Sequence, residues 1–337
     1  MANCYITLDY ELCLGRRTGT AEGCLVKPMK ALTKMLDKYG IKVNVMVDAA
    51  YLYRKNQLKD TDSRIADEYK LVSDNVRSLA EQGHAIQFHF HPKWIHTEYV
   101  DGQWKMDMEH YKLSDLAHEE MLQTVSDAID LLNSISGQKA VAYRAGGFSV
   151  ENFEDVSALF TEKGIKVDTS VLRYSKTKSK FQTYDYSKVP NKTSYQFSNK
   201  ICVENVGGSF TEYPISVKPY GSISYMLMKR RLKKMDSNGL SKERWNDGIG
   251  AGYPGGKLTA LKIKMKKFFG RNVLYASFDG ELALLLPEIF NYSQKKYKGD
   301  DFVIISHPKS IAPSSIFELE RFIKTYKMNL EFLRFTK

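Results

Sequence analysis

The sequence predicts an α/β chain of parallel βαβ units, forming either a barrel or a doubly wound sheet. Three observations lead there. Short apolar, β-branched runs alternate with helical stretches over most of the 337 residues, the pattern of strands joined by crossover helices. Several runs end directly in residues able to do chemistry: Asp9 and Glu11, His89 and His91, Arg144, and His307. In a β/α barrel the strand C-termini converge on one mouth, where active sites sit. A chain of this length buries a sizeable core, and at 43% hydrophobic nothing points to global disorder.

The first strand is expected over 4–8, ending in Asp9-Tyr10-Glu11, with a glycine- and charge-bearing loop over 12–23. Pro28 opens a helix to about Tyr39 with Met29, Leu32, Met35 and Leu36 on one face, and Gly40 ends it. Residues 41–47 read as a buried strand and 63–81 as a helix. The next strand runs from Gly83 and stops at Pro92. Side chains alternate faces along a strand, so His89 and His91 share one face while Phe88 and Phe90 take the other. Two neighbouring imidazoles at a strand end suit a divalent metal such as zinc. His84 falls on the phenylalanine side and reads as structural.

Residues 93–111 form an insertion carrying Trp94, Tyr99, Trp104 and Tyr111: a lid whose rings stack on a sugar, or a loop pinned by its own aromatics. Ser114 is expected to cap a helix to about Ser134. A strand over 139–143 leads into Arg144-Ala145-Gly146-Gly147-Phe148-Ser149, then a helix over 151–163 closed by Gly164 and a strand over 165–168. The pattern is less regular to about Val217, with short strands at 200–203 and 211–215. Residues 220–298 are the most basic section, with lysine-rich stretches at 228–235 and 261–269. A strand over 301–306 ends at His307-Pro308-Lys309, followed by a helix over 315–326 and a last strand over 329–335. There is no internal repeat. Gly248-x-Gly250-x-Gly252 lacks the strand-to-helix turn of a phosphate loop.

The formal charge is +11, from 50 Lys+Arg against 39 Asp+Glu, which favours acidic partners such as phosphorylated ligands or anionic lipid. No nucleic-acid motif accompanies it, so nucleic acid ranks last. Cys4, Cys13, Cys24 and Cys202 include no CxxC pair and read as buried thiols of a reducing compartment. With no signal-like segment and no long apolar run, the expectation is a cytoplasmic protein, peripheral at the inner face of the membrane if the basic section binds lipid.

Five stretches together resemble the polysaccharide deacetylases, the NodB-type homology domain of carbohydrate esterase family four, in the branch found among surface-polysaccharide biosynthesis proteins. Thr7-Leu8-Asp9-Tyr10-Glu11 is similar to the first motif, and Gly83-His84 through His89-Phe90-His91-Pro92 to the second. Tyr143 through Ser149, Gly164 through Ser170, and Ile305-Ser306-His307-Pro308-Lys309 are similar to the later ones. There are departures: Tyr10 stands where the family has a second aspartate, and Lys93 where it has its second metal histidine. The resemblance implies a distorted (β/α) barrel of about seven parallel strands. It implies one domain over 1–337, with insertions at about 93–112 and 220–300.

What the resemblance further implies is removal of an N-acetyl group from an amino sugar, free or linked to a lipid or nucleotide carrier, with a divalent metal, zinc by expectation, as cofactor. Asp9 would be the base, Arg144 its partner and His307 the acid; Glu11, His89 and His91 would hold the metal; Trp94, Tyr143 and Phe148 would contact substrate. Asp9 and Glu11, two apart on a strand, can face the same mouth. The reverse assignment, with Asp9 on the metal and Glu11 supporting the loop, stays open. So do two other functions: hydrolysis of another amide or ester, and a carbohydrate- or membrane-binding protein without turnover.

Overall fold

The computed structural model describes residues 1–15, 17–150, 153–235, 244–249, 272–297 and 300–336. Seven mutually parallel strands form its frame: β1 (Ala2–Tyr10), β2 (Asn44–Asp48), β3 (Ala85–Phe90), β4 (Ala142–Ala145), β5 (Val167–Asp168), β6 (Phe210–Glu212) and β7 (Phe302–Ser306). Their order in the sheet is β6-β5-β4-β3-β2-β1-β7, with Tyr195–Phe197 antiparallel outside β6 and Leu330–Phe332 parallel to the start of β1. The sheet curls until its edges approach. Ile215, just past β6, bridges to Leu172, and Ser216 N donates to Val303 O of β7 at 3.1 Å. The fold expected from the sequence, an α/β chain around a curled, mostly parallel sheet, is the one present.

Strand alternation sorts the side chains into two environments. The outer faces carry residues such as Ile6, Leu8, Val45, Val47, Phe88 and Phe90, buried under the helices in one large core. The inner faces are apolar only at the bottom, where Tyr5 stacks on Phe335 at 4.7 Å beside Tyr213. Above this plug the interior is polar. Asn44 Oδ1 accepts from Phe335 N at 2.6 Å, and Gln87 takes the Phe335 carbonyl at 2.8 Å and the N–H groups of Val141 and Ala142. The buried amides thus satisfy backbone groups that a closed barrel end would leave unpaired.

Among the described residues the helices are α1 (Lys27–Asp37), α2 (Ala49–Leu58), α3 (Ser63–Glu81), α4 (His118–Ser136), α5 (Phe153–Lys163), α6 (Ser222–Met235), α7 (Leu286–Tyr297) and α8 (Pro313–Tyr326). Two of them differ from expectation. The α2 helix starts straight after Asp48 with no turn residue, in a stretch between 47 and 63 to which the sequence reading assigns no element. The α4 helix begins at His118, not at Ser114, because Asp115 folds back in a 3-10 turn to accept from Tyr111 N and Lys112 N at 2.9 Å. Residues 200–203 form a turn, and Tyr195–Phe197 is the strand there. Within 93–111 a hairpin pairs Glu98–Val100 with Gln103–Lys105 across Asp101-Gly102, both at positive φ, as a two-residue hairpin turn requires.

Cys4, Cys13 and Cys24 are buried and Cys202 partly so, with all four thiols free. No helix among the described residues is long and apolar enough to cross a membrane. The lysine-rich stretch 261–269, Gly250 and Gly252 lie outside the described residues.

Candidate active site

Register places the chemistry. Across three adjacent strands Asp48 lies opposite His89, and His89 opposite Arg144. Register partners share a face of the sheet, so these side chains form one inward row at the top of the barrel. Asp9 sits opposite Met46, one step lower on that face.

Glu11, just past β1, closes a cluster with the two histidines. Its Oε2 lies 3.0 Å from His89 Nε2 and touches His91 Nε2, and the three donor atoms all fall within 4.8 Å of one another. His89 Nδ1 donates to the Arg144 carbonyl at 2.8 Å, which fixes the ring and aims Nε2 at Glu11. The rings of His89 and His91 meet edge to face at 4.7 Å. Gly146 leaves room for this: a Cβ there would stand 2.6 Å from Phe90 O and 2.7 Å from His91 Nδ1.

Asp9 belongs to a different set of bonds. Arg144, fully buried, donates from Nη1 to Asp9 Oδ1 at 2.5 Å, from Nη2 to the hydroxyls of Thr7 and Thr169 at 2.8 and 3.1 Å, and from Nε to Thr169 O at 2.9 Å. Four donated bonds lock the guanidinium and, through it, one carboxylate oxygen of Asp9. The other oxygen lies 3.7 Å from His307 Nε2. On the far side of that imidazole, Nδ1 meets Asp279 Oδ2 at 2.7 Å, while Asp279 Oδ1 accepts from Ser306 Oγ and His307 N.

The electrostatics follow from these contacts. Burial works against the Glu11 carboxylate, but Lys309, His91 and His89 outweigh it and hold its pKa well below the usual value. Burial also disfavours charged His89, yet Asp9, Glu11 and Asp48 together raise it to about 9. His307 is raised against burial, chiefly by Asp279. Burial pushes the Asp48 carboxyl up.

Three residues here escaped the sequence reading. Asp48 Oδ1 takes the backbone N–H of His91 at 3.1 Å, and its Oδ2 is buried with no hydrogen-bond partner among the described residues. Asp279 orients His307. Lys309, quoted only as part of a motif, reaches Glu11 Oε1 at 2.6 Å and Leu12 O at 2.9 Å. Asp48 had a legible signal, an acid ending an apolar strand.

Two expected substrate contacts are corrected. Trp94 is fully buried between Tyr51 and Trp104, at 4.8 and 5.5 Å, and presents no free ring face. Tyr143 is fully buried against Phe88 and Phe160, because it neighbours inward-facing Arg144 and so must point outward under the helices. Phe148 is half-buried near Tyr184. Lys93, where a second metal histidine was absent, is buried with Nζ on Leu14 O at 3.2 Å and 4.4 Å above the Tyr111 ring; burial lowers its pKa to about 8.

One carboxylate and two imidazole nitrogens converging in a buried cluster, with a hydrogen bond behind one imidazole, form a donor set that fits a divalent metal. No family model matches the sequence, and no curated protein matches it either. Among solved structures the chain is similar to Puue allantoinase, at TM-score 0.50 and 12% identity over 98% of this chain and 86% of that one. It is similar to a proposed polysaccharide deacetylase from Mycobacterium smegmatis at TM-score 0.49 and 14% identity, over 100% of this chain and 94% of that one. It is also similar to a family 4 carbohydrate esterase from Streptomyces lividans, solved with acetate, at TM-score 0.39 and 9% identity, over 99% and 93%. The allantoinase likeness shows a shared fold.

Proposed function

We propose that this chain is a metal-dependent hydrolase that removes the N-acetyl group from an amino sugar in a surface-polysaccharide intermediate, on the cytoplasmic side of the membrane. The observation that carries this reading is the division of the mouth into two sets: Glu11 with His89 and His91, and Asp9 with Arg144 beside His307 with Asp279. The chain would be one domain, with insertions at about 93–112 and 220–300.

Glu11, His89 and His91 would hold the metal, zinc by its liking for this donor set, which would lower the pKa of a water and polarise the acetyl oxygen. Asp9 takes the water proton, kept in place by Arg144. His307, kept protonated by Asp279, donates to the departing nitrogen. Products are acetate and a free amino sugar. Glu11 lies between the imidazoles while Asp9 faces a guanidinium, which supports Glu11 as ligand and Asp9 as base.

The test is metal content of the purified protein, paired with acetate release from N-acetyl sugars, nucleotide sugars and lipid-linked sugars. Asp9→Asn is expected to keep the metal and lose turnover, since an amide cannot take the proton. Glu11→Gln is expected to weaken metal binding, with activity partly restored by excess metal. An emptied site in Asp9→Asn beside a full one in Glu11→Gln reverses the assignment. Neither variant changing acetate release overturns the catalytic reading.

One observation favours a second reading, a carbohydrate-binding protein without turnover: the Lys309 ammonium already holds one Glu11 oxygen. Purified protein that takes up no divalent metal yet binds the same sugars would support that one.

A membrane contact belongs to the same proposal. On α6, Ile223, Met226 and Leu227 are exposed, and Lys229, Arg230, Arg231, Lys233 and Lys234 follow, while Met228 and Leu232 face the core. A basic helix with exposed apolar residues fits an anionic lipid surface. Flotation with anionic vesicles is expected at low salt and not at high salt; no binding at low salt ends this part.

A further inference from the structure

Two of the four free thiols meet. Cys13 lies in the loop leaving β1, and Cys24 lies in the helical turn Glu22–Val26 just before α1. Their side chains hydrogen-bond to each other, and both sulfurs converge on one amide. Asn246 Oδ1 is 3.5 Å from Cys13 Sγ and 3.1 Å from Cys24 Sγ, and Asn246 Nδ2 donates to Cys13 Sγ at 3.3 Å. Two glycines leave room for the pair. A Cβ on Gly19 would stand 2.5 Å from Cys24 Sγ, and one on Gly248 would stand 2.8 Å from Cys13 Sγ.

The thiols help to dock residues 244–249 on this loop. Arg17 N donates to Ile249 O at 3.2 Å and Ile249 N to Arg17 O at 2.8 Å. Thr20 N donates to Asp247 Oδ1 at 2.8 Å. The Asn246 amide closes over the sulfurs, and its Oδ1 otherwise accepts from Gly248 N of its own segment, at 2.6 Å. A disulfide sulfur carries no proton to donate, so joining the sulfurs takes both S–H donors from Asn246. The backbone on either side of Cys13 is held separately. Lys309 Nζ donates to Leu12 O at 2.9 Å and Lys93 Nζ to Leu14 O at 3.2 Å. Oxidation therefore acts on residues 244–249 before it acts on Glu11.

We propose that Cys13 and Cys24 are an oxidation site, a dithiol that peroxide converts to a disulfide and whose oxidised form releases residues 244–249. Cys13 retains 5% exposure against 0% for Cys24, so its sulfur meets the peroxide. That sulfur bonds to one peroxide oxygen, the O–O bond breaks and water leaves, giving a sulfenic acid. The Cys24 sulfur then displaces the sulfenic oxygen as a second water, and the S–S bond forms. The two sulfurs lose two electrons, the peroxide gains them, and both thiol protons depart in the waters. A thiol reductant reverses the step. The proposal is independent of the hydrolase reading.

The test is hydrogen peroxide added to the full chain, reduced beforehand and freed of reductant, followed by peptide mapping and amide hydrogen exchange. The expected product is a linked pair of Cys13 and Cys24 peptides that separates with dithiothreitol. The N–H groups of Ile249 and Thr20 are expected to exchange roughly tenfold faster in the oxidised protein, as when a hydrogen bond or two is lost, and to slow again on reduction. In Cys13→Ser and Cys24→Ser, peroxide is expected to leave that exchange unchanged. A pair that stays reduced overturns the proposal, as does oxidation that stops at sulfinic acid on Cys13 or links either residue to Cys4 or Cys202. A Cys13–Cys24 disulfide with unchanged exchange at Ile249 overturns it too, and so does faster exchange in a peroxide-treated serine variant. The wild-type readouts decide even where a serine variant fails to fold.

Discussion

At the scale of single residues, Asp279 sets what His307 can do. Burial alone would strip the imidazole of its proton; the 2.7 Å contact with Asp279 reverses that. An acid must be protonated to donate, so Asp279→Asn, by lowering the His307 pKa, is expected to move the alkaline limb of the rate profile to lower pH. General acids contribute roughly 10²–10⁴-fold, so a loss of about 10- to 100-fold at alkaline pH is expected. Acetate release against pH checks this, and an unmoved limb assigns the proton to another group. Gly146→Ala tests the packing behind His91. The new Cβ overlaps Phe90 O and His91 Nδ1, and zinc affinity measured by calorimetry is expected to fall about 10- to 100-fold, as when a ligand's support is lost. Asp9, His89, His91, Arg144 and His307 were legible because each follows an apolar strand. Asp48 carries the same mark, directly after the run read as a strand over 41–47, and that signal went unused. Asp279 follows no strand with a readable alternation, and its partner His307 is 28 residues away, a pairing that only folding reveals.

At the scale of elements, helix α5 holds the outer face of β3 and β4 through Phe160. That ring is fully buried and meets Phe88, Tyr143 and Phe153 at 6.3, 4.8 and 5.8 Å. Phe160→Ala leaves a cavity and is expected to cost about 3–5 kcal/mol, read as a lower urea midpoint at unchanged slope. Strands β1, β2 and β7 were legible from apolar, β-branched runs, and β3 from its His/Phe alternation up to Pro92. The two- and three-residue strands β5 and β6 were only approximately placed, since so short a run carries no period. Tyr143 shows where alternation was available and overridden. It adjoins inward-facing Arg144, so the pleat alone turns it away from the mouth, whatever the motif suggests.

At the scale of the whole molecule, the barrel carries a buried acid pair outside its active face. Asp168 and Glu212 lie in register on β5 and β6 with their carboxyls facing each other, and among the described residues no donor reaches Glu212 Oε2. Burial raises both carboxyls, and for Glu212 the neighbouring Asp168 adds to it, so its pKa sits well above the usual 4.5. A raised folded pKa means stability present at low pH and lost as pH climbs from the unfolded value through the folded one. Glu212→Gln keeps the shape and removes the charge. The variant is therefore expected to gain on the parent in urea denaturation as the pH rises from the ordinary carboxylate range into the alkaline range. An equal gap at both ends means that the pair does not titrate in that window. The way the barrel closes also has a bearing on its biogenesis. One edge of β1 is met early by β2, but Cys4 pairs with Phe302 and again with Phe332, and Phe335 stacks on Tyr5. During translation the first strand therefore waits, with one edge open, until residues 302–306 have been made. Exposed strand edges recruit one another. Ribosome-stalled chains ending before residue 300 are accordingly expected to be clients of holdase chaperones, and chains stalled late enough to expose Phe335 are expected to release them.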